Sequence, residues 1–326
     1  MKTGVSYFGN RNPKWVKHDM RDIVEHNCNF VLHTFSEFDR LFYKDTMKAI
    51  VDISHEVGLE VYVDPWGVGN VFGGEPFSKI VNEHDICQVD NKFNPLPAAC
   101  VNNPRFVDFM YHWIEDVKYI DGDVLFWDEP HFYNPDRGWA CRCKYCQKEF
   151  KRIFGYDMPE TLNPDILKFK ELSIVRFVKQ LAEYGKRLGM RSAVCMLPQE
   201  SDKSNVNDWE KIAAIDSIDI IGTDPYEYHR TDFIDRIRGY ANKIYNIASE
   251  FAKDGQLWVQ CFSIKEGEEW KVRKAVETIY DAGIRNIGAW SYEGTSYMSY
   301  VKSDNPKKVW ETLKEAYGRC IALASK

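Results

Sequence analysis

The sequence predicts an α/β fold in which eight parallel strands close into a (β/α)8 barrel of the TIM type. Amphipathic segments alternate with short runs of β-branched, aromatic and aliphatic residues along the 326-residue chain, and this alternation is typical of a parallel sheet. Eight runs are present, which is the number of strands that closes this barrel. They cover residues 4–9, 29–35, 59–67, 123–130, 191–198, 218–226, 256–263 and 286–294.

Helical segments separate the predicted strands. Segment 165–188 has the three-to-four spacing of apolar residues that gives one buried helix face. The others cover 14–27, 39–57, 104–120, 207–215, 231–253, 268–282 and 305–324. Gly58, Gly189, Gly255 and Gly283 suit the left-handed position that ends a helix. No linker marks a second domain, so residues 1–326 are expected to form one barrel domain.

Two connections between the predicted strands and helices are long. They are segments 68–103 and 131–164, and long connections in a compact domain usually carry function.

A doubly wound open sheet is the alternative fold. That fold normally carries a G-x-G-x-x-G turn after its first strand, and the sequence following residue 9 has none.

Composition narrows the class of protein. Apolar residues make up 44% and charged residues 28%, and no apolar run is long enough to cross a bilayer, so neither disorder nor a membrane span is expected. The net charge of -6 argues against nucleic acid as a partner. Nine scattered cysteines and a strand-like start without a leader favour a reducing, cytoplasmic location.

Four predicted strands end in an acidic residue beside an aromatic one. In a barrel the catalytic groups lie at these carboxyl ends. Hydrolysis of a glycosidic bond needs two carboxyl groups, and aromatic faces cover the apolar side of a sugar ring. The pattern therefore predicts a pocket for a small carbohydrate or oligosaccharide, although each acid alone also suits a helix cap or an ion pair. The strand-end residues are Asp64, Trp66, Trp127, Asp128, Glu129, Asp224, Tyr226, Trp290, Tyr292 and Glu293.

The fourth strand delivers two consecutive acids, Asp128 and Glu129. Side chains alternate along a strand, so one acid should face the barrel axis and the other the rim, and the sequence leaves open which is which. Further substrate-binding candidates at strand ends are Tyr7, His33, His131 and Gln260.

Three cysteines, Cys141, Cys143 and Cys146, lie within six residues. A tetrahedral zinc ion takes four such ligands, and the fourth is either Cys100 or Cys87. The C-x-C-x-x-C spacing differs from that of the iron–sulfur clusters used in radical chemistry. Three unligated thiols are the plainer alternative, but clustered thiols are prone to oxidation unless a metal binds them.

Segment 100–155 resembles the metal-bearing part of family 42 glycoside hydrolases, which are β-galactosidase barrels with an acid/base on the fourth strand and a nucleophile on the seventh. The resemblance implies that the glutamate at 129 is the general acid/base and that the four cysteines hold a structural zinc, with no organic cofactor. The matching residues are Cys100, Asn102, Asn103, Pro104, Trp127, Glu129, Cys141, Cys143, Cys146, Phe150, Phe154 and Gly155.

The chain departs from this family at two positions. The family has Asn-Glu on the fourth strand, whereas Asp128 and Glu129 resemble the strand-four ending of family 20 hexosaminidases. The seventh strand ends at Gln260 without a carboxylate, and the acids that follow it, at 266, 268 and 269, are expected to favour a helix start.

The partner of Glu129 is then Asp128, Asp224 or Glu293, and Asp224 is preferred because some α-glycosidase barrels carry acids on strands four and six. These observations predict a cytoplasmic barrel glycosidase with Glu129 as general acid. Two rival hypotheses are a non-catalytic carbohydrate-binding barrel and a metal-dependent hydrolase or lyase with its metal in the barrel mouth.

Overall fold

The computed structural model describes residues 1–8, 10–74, 76–198 and 206–325. Eight parallel strands form a closed barrel, which confirms the predicted fold and removes the open-sheet alternative. The barrel strands in chain order are β1 (Lys2–Tyr7), β2 (Phe30–Thr34), β3 (Glu60–Asp64), β6 (Val124–Asp128), β7 (Arg191–Met196), β8 (Ile220–Thr223), β9 (Asp254–Gln260) and β10 (Asn286–Trp290). Gly9, the predicted end of the first strand, lies outside the described residues.

Ten α-helices lie in the described part of the chain: α1 (Pro13–Glu25), α2 (Glu37–Phe42), α3 (Lys44–Glu56), α4 (Pro104–Tyr119), α5 (Lys144–Phe154), α6 (Pro164–Arg187), α7 (Glu210–Ala213), α8 (Phe233–Glu250), α9 (Trp270–Asp281) and α10 (Pro306–Ala324). None of these described helices is long and apolar enough to span a membrane.

Three helix predictions differ from the structure. The predicted helix 39–57 is split at Tyr43, which leaves the helical region with φ -127° and ψ 16°, and the predicted helix 207–215 is reduced to the single turn α7. Gly255 does not end a helix, because it lies inside β9. The left-handed residue after α8 is Ala252, with φ 52°.

The two long connections contain structure of their own. The first holds two 3-10 turns, Val68–Asn70 and Ile80–Asn82, and an antiparallel hairpin of β4 (Cys87–Val89) and β5 (Pro95–Ala99). The second holds α5. An isolated bridge between Asp90 and Ala140 joins the two connections, so they lie side by side over the carboxyl ends of β3 and β6.

Alternation along the strands decides which side chains fill the barrel. Phe30, Tyr62, Phe126 and Trp258 belong to the inner cluster, whereas their sequence neighbours pack in the larger core between the barrel and the helices. Two residues further along β3 and β6, alternation brings Asp64 and Asp128 to the inner face at the barrel mouth.

Candidate active site

Acidic side chains from neighbouring strands meet at the carboxyl end of the barrel. Asp64 and Asp128 line a small cavity there together with Cys195 of β7. Tyr226 and Trp290, which follow β8 and end β10, close the same cavity. The sequence left open which of the two consecutive acids faces the barrel axis, and in the structure that acid is Asp128.

Glu129, which is half-buried, and Asp224, which is buried, form a pair of carboxyl groups. They share a hydrogen bond, and such a bond requires one of the two to be protonated. Burial raises the pKa of Glu129 to about 7, although the hydrogen bond from Asp224 works in the opposite direction. Burial and the negative charges of Glu129 and Asp128 raise the pKa of Asp224 well above its usual range. The pair therefore holds a proton at neutral pH.

Backbone contacts hold Glu129 in an unusual conformation. Its φ is 43°, in the left-handed region that a residue with a Cβ adopts at a cost of about 1 kcal/mol or more. Its N–H donates to the carbonyl of Cys195 at 2.9 Å, and its own carbonyl lies 2.7 Å from Nδ1 of His131. His131 thus contacts the backbone of the acid, and burial lowers the pKa of its ring.

Two glycines of the first long connection lie over the acids and were not singled out from the sequence. Gly73 donates its N–H to the carbonyl of Asp128 at 3.0 Å, and a Cβ on Gly73 would overlap the Asp128 carboxylate. A Cβ on Gly74, which has φ 121°, would overlap the ring of Trp66. The signal in the sequence was the Gly73-Gly74 pair, because close approach of a backbone to side chains requires glycine.

Cys195 is a further mouth residue that sequence reasoning missed. It faces inward from β7, is 1% exposed, and lines the mouth cavity, where its thiol lies beside Asp224. Burial, followed by the charges of Asp224, Asp128 and Glu129, raises the pKa of this thiol, so it remains protonated. An isolated cysteine in a strand carries no signal that distinguishes this position from a core residue.

Aromatic rings cover the acids. The ring of Phe8 stacks on Trp290 with centroids 4.9 Å apart and lies 5.4 Å from the ring of Trp66. Phe262 packs edge-on against both Trp290 and Tyr226. The mouth cavity bounded by Asp64, Asp128, Tyr226 and Trp290 has a volume of about 10 Å³, room for a single water molecule.

His33 and Tyr7 do not reach the mouth. His33 is fully buried and points away from the barrel axis, with Nε2 2.9 Å from the hydroxyl of Ser54 on α3. Tyr7 also points outward, and its hydroxyl donates to Asp19 of α1 at 2.6 Å. Both lie on the side of their strands that packs against helices, because alternation gives the inward positions to their neighbours.

Gln260 and Glu293 have local partners. The side chain of Gln260 accepts from the N–H of Tyr228 at 3.4 Å and donates to the carbonyl of Phe262 at 3.0 Å. Glu293 accepts from the hydroxyl of Ser296 at 3.0 Å. The prediction that Glu293 shares one pocket with the other strand-end acids, at 64, 128, 129 and 224, has no contact in the described residues to support it.

The acids after the seventh barrel strand form ion pairs near the start of α9. Glu268 pairs with Lys271 at 2.8 Å, and Glu269, which immediately precedes α9, pairs with Lys308 at 3.4 Å. Their position agrees with the expectation that they favour a helix start.

Four cysteines form a second cluster beside the mouth. The sulfurs of Cys100, Cys141, Cys143 and Cys146 lie within 4.8 Å of one another, and this is the one group among the described residues with the donor types and spacing of a metal site. Cys100 lies 3.5 Å from both Cys143 and Cys146. Cys87 is not a member, because its thiol donates to the carbonyl of Val81 at 3.0 Å.

Amide donors surround this cysteine cluster. The side-chain amide of Asn102 donates to the sulfur of Cys146 at 3.3 Å, and the N–H of Val89 donates to Cys141 at 3.5 Å. Such donors stabilise thiolate ligands. Because Cys100 follows the β4–β5 hairpin and the other three precede or begin α5, a bound ion would fasten the two long connections to each other.

Comparison with known proteins supports the barrel fold. No family model matches the chain, and no curated protein sequence matches it. The β-galactosidase from Bacillus circulans sp. alkalophilus is similar in structure, with a TM-score of 0.69 at 13% identity over 99% of this chain, which spans 56% of the length of that enzyme.

Two endo-1,4-β-mannanases are also similar. The enzyme from Rhizomucor miehei has a TM-score of 0.63 at 12% identity, covering 98% of this chain and 95% of its own. The enzyme from Thermotoga petrophila has a TM-score of 0.61 at 11% identity, covering 98% of this chain and 76% of its own. At such identities the likeness shows that the chain has the same barrel fold as these glycoside hydrolases.

Proposed function

We propose that the protein is a glycoside hydrolase in which Glu129 is the general acid and Asp224 is the nucleophile or base. The observation that carries this proposal is the hydrogen-bonded pair of carboxyl groups at the barrel mouth. Hydrolysis of a glycosidic bond needs one protonated and one ionised carboxyl group. Two neighbouring carboxyls that share a proton at neutral pH provide both forms without a further group.

The surroundings of the pair suit a sugar. Asp64 and Asp128 are ionisable acceptors on the wall of the mouth cavity, where they can bind sugar hydroxyl groups. Trp66, Trp290 and Tyr226 provide flat apolar faces above them. Three neighbours would hold the acids in position. Cys195 contacts Asp224, Gly73 contacts Asp128, and His131 contacts the backbone of Glu129.

Binding of substrate requires a rearrangement at the mouth. The present space of about 10 Å³ does not admit a sugar ring, so we propose that the rings of Phe8, Trp66 and Trp290 separate when substrate enters. The same step breaks the Glu129–Asp224 hydrogen bond, since the carboxyl groups of a retaining enzyme stand about 5 Å apart and those of an inverting enzyme stand further.

The cysteine cluster has a structural role in this proposal. Four sulfurs bound to zinc at about 2.3 Å stand about 3.8 Å from one another, close to the 3.5 Å between Cys100 and its two nearest partners. We propose zinc as the ion, as in the family 42 enzymes that segment 100–155 resembles. Four thiolates leave no open position for a water molecule, so the ion would hold the two long connections in place beside the acids.

The proposed function is tested with a panel of 4-nitrophenyl glycosides and purified, zinc-replete protein. We expect release of nitrophenol from at least one glycoside at a rate well above that of the buffer. Failure to cleave any member of a panel that covers both anomers of the common hexoses, N-acetylhexosamines and pentoses would contradict the proposal and favour the non-catalytic barrel.

A further inference from the structure

A second, larger cavity lies beside the mouth on the side of β1 and β10. Its volume is about 670 Å³, within the range of small-molecule binding sites. Its walls come from the ends of β1 and β10, the first turns of α1 and the segment that follows β10. The lining residues that matter here are Phe8, Trp15, Asp19, Ser291, Tyr292 and Tyr297.

One pair of stacked rings separates this cavity from the acids. Phe8 lines the large cavity, and its ring stacks at 4.9 Å on Trp290, which lines the mouth. Ser291, the next residue after Trp290, lines the large cavity again. The two spaces adjoin at the Phe8–Trp290 pair, so separation of these rings, proposed above for substrate entry, would let two linked sugar rings occupy the mouth and the large cavity together.

The walls combine aromatic faces with neutral and ionic hydrogen-bonding groups. Trp15 on α1 is 68% exposed and Tyr297 is 81% exposed, although both are large apolar side chains that folding usually covers. Asp19 accepts from the hydroxyl of Tyr7 at 2.6 Å and from Asn10 at 3.3 Å, which leaves its other carboxylate oxygen for a ligand. His18 lies on the same helix and also lines the cavity.

We propose that this cavity binds a second sugar unit of the substrate, so that the protein acts on a disaccharide or longer glycan. Exposed Trp15 and Tyr297 would stack on the apolar C–H face of that ring, and Asp19 and His18 would bind its hydroxyl groups. The inference rests on the proposed function for its choice of ligand, because it takes the mouth to hold the first sugar. The binding it describes is measurable without turnover.

The test measures binding on an array of defined mono-, di- and longer glycans. The probe is the full chain carrying Glu129→Gln, which should slow turnover of a bound glycan by about two to four orders of magnitude. We expect binding to glycans of two or more units. Trp15→Ala or Tyr297→Ala in the same background should weaken that binding about tenfold or more, the loss expected for an aromatic contact of about 1.4 kcal/mol. Trp270→Ala is the matched control, since Trp270 is 48% exposed and packs on Phe233 of α8, away from the cavity.

The inference is overturned if the probe binds no glycan, if it binds single sugars as well as longer ones, or if Trp15→Ala and Tyr297→Ala bind like Trp270→Ala. Failure of the proposed function has a different result. In that case the wild-type protein cleaves no nitrophenyl glycoside, while the array still shows glycan binding that depends on Trp15.

Discussion

Burial of His33 should make the stability of the protein depend on pH in a way that one substitution removes. The hydroxyl of Ser54 donates to the carbonyl of Ile50 at 2.9 Å, so it accepts from Nε2–H of His33. We infer this tautomer from the hydrogen-bond network. Nδ1 of His33 then carries the lone pair, buried and without a partner in the described structure. Protonation of Nδ1 would bury a cation, so burial lowers the pKa of His33 from 6.5 to about 3.

The sign and size of the effect follow from linkage. Below pH 6.5 the unfolded chain binds a proton at His33 that the folded protein does not bind, so the folded state loses stability as the pH falls toward 3. Each pH unit costs about 1.4 kcal/mol. Between pH 7 and pH 5 the loss is therefore about 2 kcal/mol from this side chain alone. A folded-state pKa anywhere below about 4 gives nearly the same figure.

The assay is guanidinium denaturation of the wild type and of His33→Gln at pH 7 and pH 5. Glutamine keeps a donor for Ser54 and does not titrate in this range. Every other titrating group is common to both proteins, so the wild type should lose about 2 kcal/mol more than the variant on acidification. Equal losses in the two proteins would show that His33 titrates in the folded protein as it does in the unfolded chain, which would contradict its buried position.

Three further predictions concern the site. Because the pKa of Glu129 is about 7 and the acid acts when protonated, kcat/KM should fall as the pH rises through about 7; an unchanged profile in Glu129→Gln would contradict this assignment. Elemental analysis should find about one zinc per chain, Cys100→Ser should lose the metal and unfold at a lower temperature, and Cys87→Ala should do neither. Gly73→Ala should reduce kcat by about tenfold or more by displacing Asp128, with folding retained on circular dichroism; full activity would show that this glycine does not position the acid.

The barrel itself was predictable because its signal is repeated. Each of the eight strand–helix units has its own pattern of apolar residues, so an error in predicting one unit does not affect the prediction of the others. The wrong predictions are those in which a single residue decides the local backbone conformation. Gly255 was expected to end a helix, but Ala252 takes the left-handed position after α8 and Gly255 continues into β9, where a Cβ would press on Ile244 and Ile284.

The site was predictable in part, and the limit was the direction of side chains. The positions of Glu129 and Asp224 at strand ends marked them as candidates. The sequence did not show which residues of each strand point into the barrel. His33 and Tyr7 were therefore assigned to the mouth, although their side chains face helices. Contacts between distant segments were also out of reach. Gly73 meets the acid at 128 only because the first long connection folds back over β6.

The central claim is that Glu129 and Asp224 are the catalytic pair, and one measurement tests it most directly: single-turnover hydrolysis of two substrates that differ in leaving group. For Glu129→Gln, cleavage of a sugar or alkyl leaving group should slow by about two to four orders of magnitude, whereas a dinitrophenyl leaving group, which needs little protonation, should slow much less. For Asp224→Asn, both substrates should slow alike, because attack itself is lost. Glu293→Gln, the control outside the pair, should retain most activity toward both. Small and equal effects of Glu129→Gln on the two substrates, with binding unchanged, would remove Glu129 from the mechanism.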